Sequence, residues 1–218
     1  MKRNIEAVVF DLDGLIFNTE EIYQQVGRTI LGRHGKLFED ELINEVMGRP
    51  PRAALQRMID WHGLTISFEA FQADSDQAFL RLIEDDLQPM PGCLELFAAL
   101  EAAAVPKAVA TSSSKRLAHA TLNRFAMIPR FEFVLTSDDV VNGKPDPEVY
   151  QTAAARLGIA TADMLVLEDS QNGCRAAVAA GAVAVAVPSG HSHSHDFTGA
   201  RLVADTLADR RIYELLGL

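Results

Sequence analysis

Glu6-Ala7-Val8-Val9-Phe10-Asp11-Leu12-Asp13-Gly14 is the stretch of this 218-residue chain that decides its fold. Its first five residues form a short, mostly apolar run, which predicts a strand buried on both faces. Asp11 and Asp13 follow, and at this spacing the two carboxylates of an extended segment point the same way while Leu12 turns towards the core. Gly14 allows the chain to bend sharply away. The stretch therefore predicts a buried strand that ends in two carboxylates.

The rest of the chain repeats this strand signal and alternates it with helices. Further short apolar runs predict strands at 107–110, 133–135, 164–167 and 183–187. Apolar residues recur at helical spacing in 94–100, 116–125, 147–157 and 172–180. Strands that alternate with helices of this length are typical of βαβ units. The predicted fold class is therefore α/β, with a Rossmann-like parallel sheet as its core.

One region interrupts the alternation. From about Thr19 to Leu87 the pattern predicts amphipathic helices and no strand. Gln88 to Gly92 contains two prolines and a glycine, which favour a linker. We therefore expect a core formed by 1–17 and 91–218, with 18–90 as a helical insert.

The composition excludes several classes of protein. Apolar residues make up 48% of the chain and charged residues 23%, which is unlike a disordered segment. The net charge of −10 argues against a nucleic-acid or anionic-membrane binder, which would need a basic face. Two cysteines, Cys93 and Cys174, are too few for a disulfide framework. No run approaches the roughly 20 apolar residues of a membrane span, so we expect a cytoplasmic protein.

Chemically active residues follow the predicted strands. Ligands of an open parallel sheet bind beyond the carboxyl ends of its strands. Thr111-Ser112-Ser113-Ser114 follows the second strand and offers hydroxyls and N–H groups at the start of a helix, which suits an anion. Lys144 lies in a Gly- and Pro-rich turn, and Glu168-Asp169-Ser170 follows the fourth strand. We expect these groups to meet at one edge of the sheet.

Together they predict phosphoryl transfer. A set of carboxylate oxygens from Asp11, Asp13 and Asp169 suits a hard divalent cation, most naturally Mg²⁺. Lys144 and Ser112, with the Ser113 N–H behind it, would hold a phosphoryl group. Asp11 would attack phosphorus, and Asp13 would carry a proton to the leaving oxygen.

The four motifs, in this order, resemble those of the haloacid dehalogenase-like hydrolase superfamily: Phe10-Asp11-Leu12-Asp13-Gly14, Ser112, Lys144 and Glu168-Asp169-Ser170. With its insert after the first motif, the chain is similar to the branch of β-phosphoglucomutases, phosphoglycolate phosphatases and sugar-phosphate phosphatases. The resemblance implies a Rossmann-like core, a four-helix cap, Mg²⁺ and an aspartyl-phosphate intermediate. It implies that the metal is bound by Asp11, the Asp13 main-chain carbonyl and Asp169. Glu168 would either bind the metal directly or contact the residues that do.

Departures from the family pattern exclude some of the activities found in the family. Asn18 stands where many members have Asp. Asp13 argues against dehalogenation, since true dehalogenases lack this second Asp. β-Phosphoglucomutases carry a His near the position of Tyr23 and a Lys near that of Ala73, and phosphonate-cleaving relatives need a cap lysine, whereas the insert has only Lys36. Hydrolysis of a small phosphate monoester remains, with a β-phosphoglucomutase-like phosphomutase as the alternative.

The substrate is expected to be selected by the insert. Gly48-Arg49-Pro50-Pro51-Arg52 resembles the family's specificity loop, and Arg49 and Arg52 could grip a phosphate or an acidic group. The expected partner is a small phosphorylated metabolite rather than nucleic acid or membrane. The protein itself is expected to be a monomer or a weak homodimer.

Several assignments have plainer alternatives. Lys144 could be solvated in its turn, Thr111 could replace Ser112 as the phosphate ligand, and Glu168 could merely cap the next helix. The alternating histidines of His191–His195 share a face if the segment is extended, which suggests zinc. A polar loop is the interpretation we prefer there, because too few further ligands are nearby in the sequence.

Two other protein classes are alternatives to this family. A receiver-like signalling domain also combines early acids with a later lysine, but it would place its acceptor Asp near the third strand and would lack the insert. A nucleotide-binding dehydrogenase needs Gly-x-Gly-x-x-Gly after the first strand, where this chain has Asp-Leu-Asp-Gly. A binding protein that had lost activity on this fold would be expected to lack Asp11 or Lys144, and both are present.

Overall fold

The structure is a computed structural model that describes residues 5–47 and 49–218. The chain divides into two compact units, one formed by Met1–Asn18 with Gln88–Leu218 and the other by Thr19–Leu87.

The unit Thr19–Leu87 contains four α-helices and no strand within its described residues. Its helices are α1 (Thr19–Arg33), α2 (Asp40–Val46), α3 (Pro51–His62) and α4 (Phe68–Asp85). Pro51 occupies the first turn of α3, where its missing N–H costs nothing, and Gly63 ends that helix in the left-handed conformation. The Ser67 hydroxyl caps α4 by accepting from the Ala70 N–H at 3.2 Å. The expectation of helices without a strand in this region is confirmed.

The other unit is built on a parallel sheet, as predicted. Its strands are β1 (Ala7–Phe10), β2 (Lys107–Ala110), β3 (Val134–Leu135), β4 (Met164–Glu168), β5 (Val183–Ala186) and β6 (Leu202–Val203). Their order across the sheet is β3-β2-β1-β4-β5-β6, and every pairing is parallel. β1 therefore lies at the centre between β2 and β4, so the residues that follow these three strands emerge side by side.

Five α-helices complete this unit within the described residues. They are α5 (Cys93–Ala102), α6 (Lys115–Asn123), α7 (Glu148–Leu157), α8 (Gln171–Ala180) and α9 (Arg210–Leu216). The sequence analysis did not predict β6 or α9, which are only two and seven residues long. In the described part of the chain, none of the helices combines the length and apolar character required to cross a bilayer.

Both faces of the sheet are covered, which explains its apolar strands. Val9 lies in a core cluster with residues of α7 and α8, among them the fully buried Tyr150. Phe10 is the next residue along β1, so it faces the opposite side. There its ring packs edge-on against Phe97 of α5, with 5.0 Å between the ring centroids. Because neither face is open to solvent, polar groups of β1 are confined to its carboxyl end.

Candidate active site

Asp11 is the first residue beyond β1. Its N–H donates to the Leu167 carbonyl at 3.0 Å and so continues the ladder between β1 and β4. This backbone bond holds the carboxylate at the sheet edge, where it is 6% exposed. Asp13, two residues further on, is half-buried. The two carboxylates that the sequence singled out are thus held by the end of the central strand.

Lys144 reaches this edge from the loop before α7. Its ammonium donates to Asp11 Oδ1 at 2.5 Å, to Glu168 Oε1 at 2.6 Å and to the Ala110 carbonyl at 2.9 Å. The side chain is buried, so the interpretation of Lys144 as a solvated turn residue is wrong. All three of its N–H groups are used, on groups at the ends of β1, β2 and β4.

Glu168 is the last residue of β4 and is fully buried. Its Oε1 accepts from Lys144 and from the Tyr150 hydroxyl, the latter at 2.6 Å. Its Oε2 accepts from the Ser170 hydroxyl at 3.0 Å and from the Ser170 N–H at 3.3 Å. A carboxylate offers about four lone-pair positions, so these bonds use its acceptor capacity. The cap of α8 is Ser170, which accepts from the Gly173 N–H, and the suggestion that Glu168 caps this helix is wrong.

The charges of the cluster act on one another. Burial, together with the nearby carboxylates of Glu168 and Asp13, raises the pKa of Asp11 to about 7 although Lys144 opposes the shift. Burial lowers the pKa of Lys144, but the carboxylates of Asp11 and Glu168 outweigh it and hold that pKa above its ordinary value. The lysine is therefore a permanent cation, and the site holds more negative than positive charge.

A cation fits this excess of negative charge. One carboxylate oxygen from each of Asp11, Glu168 and Asp169 lies within 4.8 Å of the others, and all three residues are buried. Oxygen-only ligands are those that Mg²⁺ and Ca²⁺ prefer. Glu168 already accepts four hydrogen bonds, so a metal ion would have to share its oxygens with these donors. The donor set fits a hard divalent metal ion.

The hydroxyl loop after β2 contacts Asp13. The Ser113 and Thr111 hydroxyls both donate to Asp13 Oδ2, at 2.6 and 3.2 Å. The Ser113 N–H, which was expected to face an anion, donates to Thr111 Oγ1 at 3.0 Å. Ser112 is half-buried between these two residues. The loop thus orients the Asp13 carboxylate, a role that the sequence analysis did not assign to it.

The two candidate substrate residues belong to the helical unit. Arg49 is exposed and pairs with Glu45 at 2.9 Å. Arg52, also exposed, stacks its guanidinium 4.4 Å from the centre of the Phe68 ring. Gly48, the first residue of the proposed specificity loop, lies outside the described residues.

Asn18 joins the two chain segments that connect the sheet unit to the helical unit. Its Oδ1 accepts from the Gln88 N–H at 2.8 Å, and its own N–H donates to the Gln88 carbonyl at 3.1 Å. Met90 N–H donates to the Ile16 carbonyl one step further along. The segment that leaves the sheet unit and the segment that re-enters it therefore lie side by side. The Asn18 side-chain oxygen makes a hydrogen bond that an Asp at this position would also make.

The histidine-rich segment is not extended. Gly190–Ser194 forms a 3₁₀ helix, which removes the alternating geometry on which a zinc site at His191, His193 and His195 would depend. His195 accepts from the Gln171 N–H at 3.4 Å through Nδ1. Within the described residues, the grouping of potential metal ligands is the one at Asp11, not here.

Two residues of the site were missed by the sequence analysis. Tyr150 was included only as part of a helix, and nothing in helical periodicity separates a core tyrosine from one that donates to Glu168. Gly173 was included only as part of the predicted helix at 172–180. A Cβ at Gly173 would lie 1.8 Å from Glu168 Oε1, so the glutamate can occupy its position only because this residue has no side chain. A glycine in the first turn of α8 was the available signal.

Known proteins are similar to this chain in sequence and in fold. The sequence profile of the family described as haloacid dehalogenase-like hydrolase matches residues 8–187. The chain belongs to this family. A phosphorylated carbohydrates phosphatase from Thermotoga maritima is 32% identical over 177 residues, which cover 81% of this chain and 82% of the relative. Other relatives of this haloacid dehalogenase-like hydrolase also carry phosphatase names.

Solved structures agree with the fold of this haloacid dehalogenase-like hydrolase. CbbY from Rhodobacter sphaeroides, in complex with phosphate, superposes with a TM-score of 0.84 at 25% identity, covering 94% of this chain and 96% of that one. A putative β-phosphoglucomutase from Thermotoga maritima gives 0.78 at 29% identity and covers 97% of both chains. Membership of this family excludes the receiver-like and dehydrogenase interpretations.

Proposed function

We propose that this hydrolase is a Mg²⁺-dependent phosphatase that cleaves a small phosphate monoester, such as a sugar phosphate, through an aspartyl-phosphate on Asp11. The observation that carries the proposal is the buried contact of Asp11 with Lys144 beside the carboxylates of Glu168 and Asp169. A nucleophile, a fixed cation and a divalent-metal site at one sheet edge are the parts that phosphoryl transfer requires.

The Asp11 carboxylate would act as the nucleophile. In the first step it forms a bond to phosphorus while the ester P–O bond breaks, and Asp13 gives a proton to the departing alkoxide. In the second step the Asp13 carboxylate takes a proton from water, whose oxygen attacks phosphorus and releases phosphate from Asp11. Thr111 and Ser113 both bind Asp13 Oδ2, so Oδ1 is the oxygen we assign to proton transfer.

Other groups would bind the phosphoryl oxygens. Lys144 supplies a permanent positive charge, and we propose the Ser112 hydroxyl as a phosphate ligand, with the Ser113 N–H behind it once that group exchanges its bond to Thr111 Oγ1. Thr111, the alternative to Ser112, would first have to release Asp13 Oδ2, to which its hydroxyl donates. We propose Asp11, the Asp13 main-chain carbonyl and Asp169 as the residues that hold Mg²⁺, which would neutralise charge on the transferring group.

We further propose that residues 18–90 act as the cap domain that the family resemblance implies. A cap excludes water from the reacting ester and positions it, and Arg49 or Arg52 would exchange its present partner for an acidic group of the substrate. The two cysteines are buried and free, which supports a reducing, cytoplasmic location. We propose a monomer or weak homodimer with a phosphorylated metabolite as its partner.

The alternative is a phosphomutase, which the similarity to the putative β-phosphoglucomutase favours. A phosphomutase would also form an aspartyl-phosphate in its first step, but it would then return the phosphoryl group to a sugar instead of to water. The ring of Tyr23, near the position of the mutase histidine, stacks on Phe79 with 4.8 Å between centroids. It packs the helical unit and carries no imidazole, which supports hydrolysis.

Phosphate release from a panel of small phosphate monoesters tests the proposal, with Mg²⁺ and with EDTA, for the wild type and Asp11→Asn. We expect release by the wild type with Mg²⁺ only, and none by the variant with an unchanged circular dichroism spectrum. A fully active Asp11→Asn protein would refute the mechanism. If the panel stays silent but glucose 1-phosphate with a bisphosphate activator is isomerised, the mutase is the correct alternative.

A further inference from the structure

Tyr150 contacts both the proposed phosphate-binding lysine and that lysine's buried partner. Its hydroxyl donates to Glu168 Oε1 at 2.6 Å, and the centre of its ring lies 5.1 Å from Lys144 Nζ. The whole side chain is buried in the first turn of α7. We propose that Tyr150 is a positioning residue that keeps Lys144 available to the phosphoryl group, an inference that rests on the function proposed above.

Glu168 and an arriving phosphoryl group compete for the Lys144 ammonium. Lys144 already donates all three of its N–H groups, to Asp11, Glu168 and the Ala110 carbonyl. An arriving phosphoryl oxygen must therefore take one of these bonds. Glu168 Oε1 is a charged, buried acceptor, and whatever else donates to it weakens its hold on Lys144.

The Tyr150 hydroxyl is that second donor. It occupies the remaining lone pair of Oε1 and disperses its charge, so the bond between Lys144 and Glu168 can be exchanged at lower cost. The aromatic ring meanwhile offers its face to the ammonium within the ~6 Å of a cation–π contact. The hydroxyl and the ring thus act on the two ends of one ion pair, and a phenylalanine would supply only the ring.

Tyr150→Phe isolates the hydroxyl because it keeps the ring and its packing. We expect kcat/KM for the preferred ester to fall roughly tenfold or more, as for other residues that orient a catalytic group. Binding of inorganic phosphate, measured by calorimetry in Mg²⁺, should weaken by a similar factor. Tyr213→Phe removes the same atom from a half-buried tyrosine of α9 and should leave both values unchanged.

A double-mutant cycle separates positioning from a general structural effect. If the hydroxyl acts by restraining Glu168, Tyr150→Phe should weaken phosphate binding in the wild type and have no further effect in Glu168→Gln, which has no charge to restrain. Glu168→Gln alone should bind phosphate at least as tightly as the wild type, since Lys144 is then released. The comparison of Glu168→Gln with the wild type does not depend on the folding of the Tyr150 variant.

The outcomes are distinct. Equal phosphate affinity in the wild type and Tyr150→Phe overturns the inference and leaves the proposed function intact. An equal loss in both backgrounds, or weaker binding by Glu168→Gln alone, also overturns it. A wild type that neither turns over esters nor binds phosphate overturns the proposed function and this inference with it.

Discussion

Gly173→Ala is the smallest change that should dismantle the acidic cluster. A methyl group at this position would lie 1.8 Å from Glu168 Oε1, 1.9 Å from Cδ and 2.1 Å from Oε2. Ordinary contact is about 3.4 Å or more, so the carboxylate would have to move by roughly 1.6 Å. It has little room to do so, because Lys144, Tyr150 and Ser170 hold its two oxygens.

The magnitude follows from the bonds that such a movement breaks. Glu168 accepts four hydrogen bonds, and each bond to a charged group contributes about 1.5–3 kcal/mol. Losing two of them costs about 3–6 kcal/mol. Alanine returns about 1 kcal/mol through its higher helix propensity. We therefore expect a net loss of about 2–5 kcal/mol in the free energy of unfolding, together with a large fall in turnover because the displaced carboxylate disturbs the buried cluster around Asp11.

Urea unfolding followed by circular dichroism measures the first quantity, and phosphate release measures the second. Gly32→Ala is the matched control, since Gly32 also lies in a helix and its added Cβ would meet nothing within 4 Å. That variant should be as stable as the wild type or up to about 1 kcal/mol more stable, with unchanged turnover. The reasoning is refuted if Gly173→Ala unfolds at the wild-type urea concentration and turns over at the wild-type rate.

Three further changes test other parts of the site. Lys144→Ala leaves two buried carboxylates without their cation, so it should cost about 3–5 kcal/mol in urea unfolding and weaken phosphate binding in calorimetry. Glu148 accepts the N–H groups of Val141 and Asn142 in the loop that leads to Lys144; Glu148→Gln should raise KM for the ester, while Val141→Ser, which keeps the backbone donor, should not. Tyr23→His should not create mutase activity with glucose 1-phosphate and a bisphosphate activator.

Much of the architecture could be predicted from the local pattern of apolar and polar residues. The strands β1, β2 and β4 are short apolar runs closed by polar residues, because a strand buried on both faces cannot carry polar side chains in its middle. β6 escaped prediction since two residues at the edge of a sheet carry almost no periodicity. The helix α9 is seven residues long and gives a similarly weak signal.

The candidate site was only partly readable. Asp11 and Lys144 stood out because a strand end and a constrained turn are places where polar residues serve ligands. The hydrogen bonds of the loop after β2 were not predicted correctly. The Ser113 N–H, which was expected to face an anion, donates to Thr111 Oγ1 instead. Such a bond depends on the exact turn after β2, which several hydroxyl residues in succession do not specify.

The sequence by itself determined the parallel sheet, the helical character of the insert and the set of polar groups that could serve phosphoryl transfer, since these depend on hydrophobic period and on residues near one another in the chain. Only the tertiary structure decided how those groups are joined. Lys144 binds Asp11 across 133 residues, and Tyr150 binds Glu168 across 18. These contacts exist because the strand order places β1 between β2 and β4, and no local pattern encodes which oxygen a buried donor meets there.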